Sequence, residues 1–175
     1  MSAIHPFFSW RRYQTPLGDM IGLGSEKAIH CIDFEDRLES TNFLKNVSPK
    51  TPLHEDLKQQ NKHLGALDQT LKSYFSGQKI IDMPPLAALK GTLFQKTVWK
   101  SLSTIPYGQT WSYTELAQAI RHPKATRAVA NANGKNHFSI LIPCHRVIRM
   151  GGALGGYGGG LDKKQWLLNH EAQHA

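Results

Sequence analysis

The sequence predicts a two-part α/β protein: a strand-bearing α/β lobe over residues 1–89, then a mainly helical lobe over residues 90–175 that carries a helix-turn-helix. Three observations lead there. Residues 7–34 alternate loosely between apolar and polar, with turn residues at Pro16, Gly18, Gly22 and Gly24, the period-two pattern of two or three strands. Residues 55–75 change to helical spacing, with Leu57, Leu64, Leu67, Leu71 and Phe75 on one face and Gly77 as the stop. The charge balance then shifts. Residues 1–90 hold 11 Lys/Arg against 10 Asp/Glu, residues 91–175 hold 10 against 3, and Pro84, Pro85 and Gly91 punctuate the connector near the change.

A chain of 175 residues can bury one good core or two small lobes. About 40% apolar residues and a mean hydropathy of −0.40 suit a soluble globular protein. No apolar run approaches the roughly 18 residues of a membrane span. The first fourteen residues show no apolar core followed by a small-residue cleavage site, so no signal peptide is expected. Two cysteines, Cys31 and Cys144, make no disulfide framework, and a reducing, cytoplasmic setting is expected in which a thiol stays available. The net charge is +8, and between Gly91 and Leu161 the lone acid Glu115 faces Lys96, Lys100, Arg121, Lys124, Arg127, Lys135, Arg146 and Arg149. Such an excess favours a polyanionic partner, because bound phosphates release counterions. A merely solubilising basic surface would carry the same charges.

In the second half, Thr92 is placed to cap a helix bearing Phe94, Val98, Leu102 and Ile105, which stops at residues 106–108. Ser112-Tyr113-Thr114-Glu115 fits a capping box that opens a short helix through Leu116, Ala117 and Ile120. His122-Pro123 breaks it, and residues 125–133 form a second short helix, so the pair fits a helix-turn-helix, although many helix pairs bind nothing. Ile140-Leu141-Ile142 reads as an apolar strand leading through Pro143 to Cys144-His145-Arg146. Seven glycines within residues 151–160 let backbone amides approach a ligand closely. A helix follows, with Asp162 and Gln165 as cap candidates and Trp166, Leu167 and Leu168 as its apolar face. A loop held at both ends suits the lip of an active site better than a free linker.

Cysteine attacks as its thiolate, which an ordinary thiol pKa near 8.5 keeps scarce at neutral pH. A lone cysteine after an apolar strand is more often inert core, and Cys31 keeps that reading. Cys144 differs because His145 and Arg146 follow it and the basic half surrounds it. An imidazole can take the thiol proton directly or through one water. In an extended segment neighbours point opposite ways, which favours the water. The acid that orients the ring must come from elsewhere, and Glu171 is the choice among the three acids of this half. Ile140, Leu141, Ile142 and Pro143 are expected to bury the thiol in part, which opposes its ionisation.

The run Ile142-Pro143-Cys144-His145-Arg146-Val147-Ile148 resembles the active-site motif of the O6-alkylguanine-DNA alkyltransferases. The resemblance continues through Thr92-Leu93-Phe94-Gln95, Val98-Trp99, Ile105-Pro106-Tyr107-Gly108, Ser112-Tyr113 with Leu116-Ala117, Pro123-Lys124-Ala125 and Arg127-Ala128-Val129. It ends with the glycine loop around Tyr157, Lys164, Trp166-Leu167-Leu168 and Glu171, and so covers about residues 90–171. It implies a ribonuclease H-like N-terminal lobe and a C-terminal alkyltransferase and DNA-binding lobe whose helix-turn-helix enters the minor groove of double-stranded DNA and flips the damaged base. By position, Arg127 would fill the gap in the base stack, with Ala125, Thr126 and Asn131 beside it on the DNA-facing helix. Tyr113 would press on a phosphate and donate a proton to departing guanine. Asn136 would bond near the thiolate, and His145 and Glu171 would complete the relay. The carbonyls of Cys144 and Val147, the Gly158 amide, the Tyr157 ring and the wall at Ser139 would hold the base. The implied reaction is one irreversible transfer of an alkyl group, typically methyl, from O6-alkylguanine, and also from O4-alkylthymine, to Cys144. It needs no cofactor and no metal, and a monomer is expected.

The sequence also departs from the resemblance. His137-Phe138-Ser139 stands where relatives often carry prolines, which would make the pocket wall roomier. Ala130 and Asn131 stand where glycine or alanine is common, and Asn131 would either crowd the groove or add a base-edge hydrogen bond. Arg146 is left between DNA and a carbonyl as its partner. His5, His30 and Cys31 lack zinc-site spacing. Three rivals compete with alkyl transfer. A silent lesion binder of the same fold would leave Cys144 idle. A Cys-His hydrolase would leave Tyr113 and Arg127 idle. A transcription regulator would want more groove-reading side chains.

Overall fold

The computed structural model describes residues 8–47 and 53–175, with the side chains of residues 46 and 47 also outside the description, as is His5. It is a mixed α/β chain that divides into two compact units, Met1–Lys90 and Gly91–Ala175. Among the described residues no helix is long and apolar enough to cross a membrane.

The first unit is a four-stranded sheet. Strands β1 (Phe8–Tyr13), β2 (Met20–Gly24) and β3 (Ile29–Phe34) form an antiparallel meander, and β4 (Leu53–Glu55) adds to β1 in parallel, giving the order β3-β2-β1-β4. The alternation expected from the sequence decides the faces. Ile21, Leu23, Phe8 and Cys31 point to one side and pack with Leu38 of the short helix α1 (Glu35–Ser40), while α2 (Phe43–Val47) adds Phe43 and Leu44 at the margin. On the other side Gly22 lies under Tyr13, Leu64 and Leu67, so the helix α3 (Lys62–Phe75) comes down onto bare backbone.

The α3 helix starts seven residues later than the apolar spacing suggested. Leu57 keeps the helical spacing by coincidence and is 77% exposed. The residue that decides the start is Asn61, whose side chain accepts from the His63 and Leu64 amides while its own amide group donates to Ser9 and the Ser25 carbonyl. Gly77, at φ +87°, closes the helix as expected. The connector is more ordered than its prolines implied: the Ile29 amide donates to the Pro85 carbonyl and the Ala87 amide to the Ile29 carbonyl, pinning the segment along β3.

The second unit is mainly helical. Thr92 caps α4 (Leu93–Leu102) with a full capping box through Gln95, and Ser112 caps α5 (Tyr113–Ala119) with one through Glu115. Beyond α5, Arg121 takes φ +60° and the His122 amide reaches back to the Ala117 carbonyl, so the helix ends in a left-handed turn before Pro123. The α6 helix (Thr126–Gly134) then packs on α4, and the Trp99 indole donates to the Ala132 carbonyl at 2.8 Å. Two short parallel strands, β5 (Trp111–Ser112) and β6 (Val147–Ile148), bracket the reactive segment. The last helix, α7 (Leu161–Gln173), begins after Gly160 with no side-chain cap, so Asp162 and Gln165 do not serve as its cap.

Residues 140–142 are not a strand. Ile142 N–H bonds the Phe138 carbonyl and Leu141 N–H the Ser139 carbonyl, and Ile140 sits at φ +72°. A β-branched residue in that region is strained, and the surrounding contacts must enforce it. Cys144–Arg146 continue as one turn of 3₁₀ helix instead of an extended segment.

A candidate active site around Cys144

Asn136 explains how the strained turn is held. Its side-chain carbonyl accepts from the Phe138 amide at 3.0 Å, and its NH₂ group donates to the Ile142 carbonyl at 2.8 Å and to Cys144 Sγ at 3.1 Å. One buried amide therefore closes the loop and presents a donor to the sulfur. A donor to sulfur favours the thiolate over the thiol. From α6, Asn133 Nδ2 reaches the Cys144 carbonyl at 3.4 Å. Cys144 is only 2% exposed, deeper than the partial burial expected from the sequence, because the chain folds back over it instead of running past as a strand.

The 3₁₀ turn sends His145 into α7. Its Nε2 meets Glu171 Oε1 at 2.7 Å, with the two side chains 0% and 1% exposed. Glu171 also accepts from Arg146 Nε at 2.7 Å, Arg146 Nη2 at 3.0 Å and the Gly108 amide at 3.1 Å. Arg146 has its third contact at the Ile105 carbonyl, 2.6 Å away, and lies over the Tyr107 ring. Its partners are thus a carboxylate and a carbonyl within the unit.

The electrostatics follow. Burial alone would raise the Glu171 carboxyl, but the contacts with His145 and Arg146 outweigh it and hold the pKa at about 2. Burial lowers the His145 pKa, Glu171 pulls the other way, and the cations of Arg146 and Lys164 lower it further, so the ring is neutral near neutral pH. With Nε2 donating to the carboxylate, Nδ1 is the unprotonated nitrogen, and it is buried with no hydrogen-bond partner among the described residues. A neutral imidazole with a free lone pair is a proton acceptor. Cys31 is the contrast: burial, then Asp33, push its thiol well up despite Arg37, which marks an inert core cysteine.

Tyr113, the first residue of α5, turns its hydroxyl to the Gly156 carbonyl at 3.4 Å, across to the glycine lip. Burial raises its pKa, the charge of Cys144 raises it further and Arg149 opposes, so the phenol keeps its proton. Val147 and Ser139 are buried, Tyr157 is half-buried and Gly158 exposed. On α6, Arg127 and Asn131 are exposed and one turn apart on the same face, Ala125 and Thr126 are half-buried at its start, and Val129, Ala132 and Asn133 turn inward. Cys144, His145, Glu171 and Asn136 are therefore gathered in one cluster, with Tyr113 at the lip and Arg127 and Asn131 on the outer face of α6.

Two residues of this cluster escaped the sequence reading as parts of a site: Asn133, which looks like any polar residue near a helix end, and Lys164, which is 0% exposed. Among the described residues no group of three His, Cys, Asp or Glu side chains is arranged to hold a metal ion. The His30 ring is engaged by Ser25 and the Ala87 carbonyl instead.

The chain is similar to several known proteins. Residues 93–173 match a family model described as the DNA binding domain of 6-O-methylguanine DNA methyltransferase. A methylated-DNA–protein-cysteine methyltransferase of Shigella flexneri is 41% identical over 159 residues, covering 90% of this chain and 91% of the relative. One from Methanosarcina barkeri is 40% identical, covering 90% and 93%. The crystal structure of Mycobacterium tuberculosis OGT in complex with DNA superposes with a TM-score of 0.80 at 37% identity, covering 95% of this chain and 94% of that one.

Proposed function

This chain belongs to the methylated-DNA–protein-cysteine methyltransferase family, and from that premise we infer that Cys144 is the cysteine that takes an alkyl group from the O6 oxygen of guanine in DNA, once per molecule. The observation that carries the choice of residue is the donor of Asn136, 3.1 Å from Cys144 Sγ, in the same buried cluster as the His145–Glu171 pair. Cys31 has no such surroundings. Residues 90–175 form the alkyl-transfer and DNA-binding domain in this reading, and residues 1–89 a ribonuclease H-like domain.

The thiol proton passes to Nδ1 of His145, through one water, while Glu171 holds the ring and balances its charge. The sulfur then bonds to the alkyl carbon as the bond from that carbon to O6 breaks, in line and opposite. The electron pair leaves with guanine, and the Tyr113 hydroxyl supplies the proton that neutralises it. The proton held on His145 replaces, through solvent, the one Tyr113 gives up. Positioned acid–base groups of this kind contribute about 10²- to 10⁴-fold each. Displacement at saturated carbon by a soft sulfur needs no metal or cofactor, and the thioether product has no easy exit, so the protein is consumed.

DNA binds through α5 and α6 acting as a helix-turn-helix in the minor groove, with Ala125, Thr126 and Asn131 at the groove and Arg127 in the stack vacated by the flipped nucleotide. The strong positive balance of residues 91–175 supports that placement. The flipped base lies against the Cys144 and Val147 carbonyls, the Gly158 amide, the Tyr157 ring and Ser139. The Tyr113 contact with Gly156 opens to admit it. O4-alkylthymine is a second substrate, and a cytoplasmic setting suits a thiol that must stay reduced. The test is stoichiometry with methylated duplex in excess. One methyl group removed per protein molecule, then arrest, is expected; continued turnover or no removal overturns the assignment.

A further inference from the structure

Lys164 is not used by the mechanism above, yet it is among the largest fully buried side chains of the unit. It lies seven residues before Glu171 on α7, two helical turns, so both side chains leave the same face of the helix. Glu171 meets His145 and Arg146. Lys164 meets the next residue along, its Nζ donating to the Val147 carbonyl at 2.5 Å. The two α7 side chains therefore hold three consecutive residues that directly follow Cys144.

A buried ammonium is costly unless an opposite charge answers it. No Asp or Glu figures among the charges that act on Lys164, and Glu171 is engaged by His145, Arg146 and the Gly108 amide. The anion that favours the lysine's charge is Cys144, while Arg149 opposes it. The same cation disfavours a proton on His145. We propose that Lys164 is a positioning residue that supplies the counter-charge to the Cys144 thiolate and anchors, through the Val147 carbonyl, the segment that carries the nucleophile.

This rests on Cys144 being the alkyl acceptor, and it deepens that reading. The charged groups that act on the ammonium are Cys144 from the 3₁₀ turn and Arg149 beyond β6, and the ammonium acts in turn on the neutral His145 ring. Burial first, then Arg149, draw the lysine down to about 8 against the support of Cys144, so it is mostly charged at neutral pH. Two consequences are separable. Removing the cation raises the pH at which the thiolate forms. Converting the thiolate to a neutral thioether removes the anion that supports the lysine's charge, so Lys164 loses its proton at lower pH after the reaction than before.

The experiment measures single-turnover methyl transfer from a methylated duplex across pH for the wild type and Lys164→Met, which keeps the length and apolar stem of the side chain. The acid limb of the variant is expected to move up by about one pH unit or more, a loss of roughly tenfold in rate at fixed pH on that limb. Duplex affinity stays unchanged, and the fall of the wild-type rate above about 8 disappears. Coincident acid limbs overturn the proposal. NMR titration of the Lys164 ammonium in wild-type protein, before and after methylation of Cys144, decides the matter even if the variant fails to fold. A downward move supports the counter-charge, and an unchanged titration overturns it. If the wild type transfers no methyl group, the repair reading itself fails; if it does and the profiles coincide, only the role of Lys164 fails.

Discussion

Replacing Glu171 by glutamine removes one of the two carboxylate oxygens that accept from His145 Nε2, Arg146 Nε, Arg146 Nη2 and the Gly108 amide. A carboxamide accepts at one oxygen only, and its NH₂ group would face donors. The guanidinium of Arg146 would be left buried without its counter-charge. Breaking a buried ion pair in this way costs about 3–5 kcal/mol. For a chain of this size each kcal/mol lowers the melting temperature by roughly 2–4 °C, so a drop of roughly 6–20 °C is expected. An independent route agrees at the lower end. A carboxyl held at about 2 in the folded state instead of its ordinary 4.5 corresponds to about 3–4 kcal/mol at about 1.4 kcal/mol per pH unit. The sign fixes the pH dependence. Because the folded carboxyl is depressed, its stabilisation is complete above about 4.5 and is lost as pH falls toward about 2. Melting curves of wild type and Glu171→Gln should therefore be far apart at neutral pH and converge on acidification. Single-turnover methyl transfer by the folded variant should fall by about 10²- to 10⁴-fold, since His145 loses the partner that sets its tautomer. A neutral-pH melting point within about 2 °C of wild type, or a gap that ignores pH, would refute the reasoning.

The remaining expectations are more local. Gly155 sits at φ +66°, and a Cβ there would lie 3.0 Å from the Tyr113 ring, so Gly155→Ala should displace the phenol and slow methyl transfer, which rapid-quench measurements on the pre-bound duplex can check. Gly22→Ala would place a Cβ 2.8 Å from the Tyr13 ring and 2.9 Å from Leu67 under α3. Overpacking of that kind should lower stability by about 1–3 kcal/mol in urea unfolding, with the transfer rate per folded molecule unchanged.

What could be read from the sequence was what is decided within a few residues. Thr92 with Gln95 and Ser112 with Glu115 each close their own capping box, so the starts of α4 and α5 were legible. Glu171 could be picked as the acid behind His145 because the basic half offers so few carboxylates. What failed was decided at a distance or by backbone shape. Nothing local distinguishes Leu57 from the core leucines of α3, because the choice belongs to Asn61 and its partners on the sheet. Ile140-Leu141-Ile142 has strand composition, and it is the bonds of Asn136, the backbone bonds to the Phe138 and Ser139 carbonyls and the positive φ of Ile140 that make it a turn. Lys164 could be matched to the resemblance but given no role, because only the fold lays its ammonium on the Val147 carbonyl.

The most direct measurement is intact and peptide mass after mixing the protein with an equimolar methylated duplex, with Cys144→Ser alongside. A methyl-sized gain confined to the peptide containing Cys144, absent from the serine variant, is the expected result. A gain on Cys31, a gain that survives the substitution, or demethylated DNA with unmodified protein would contradict the account.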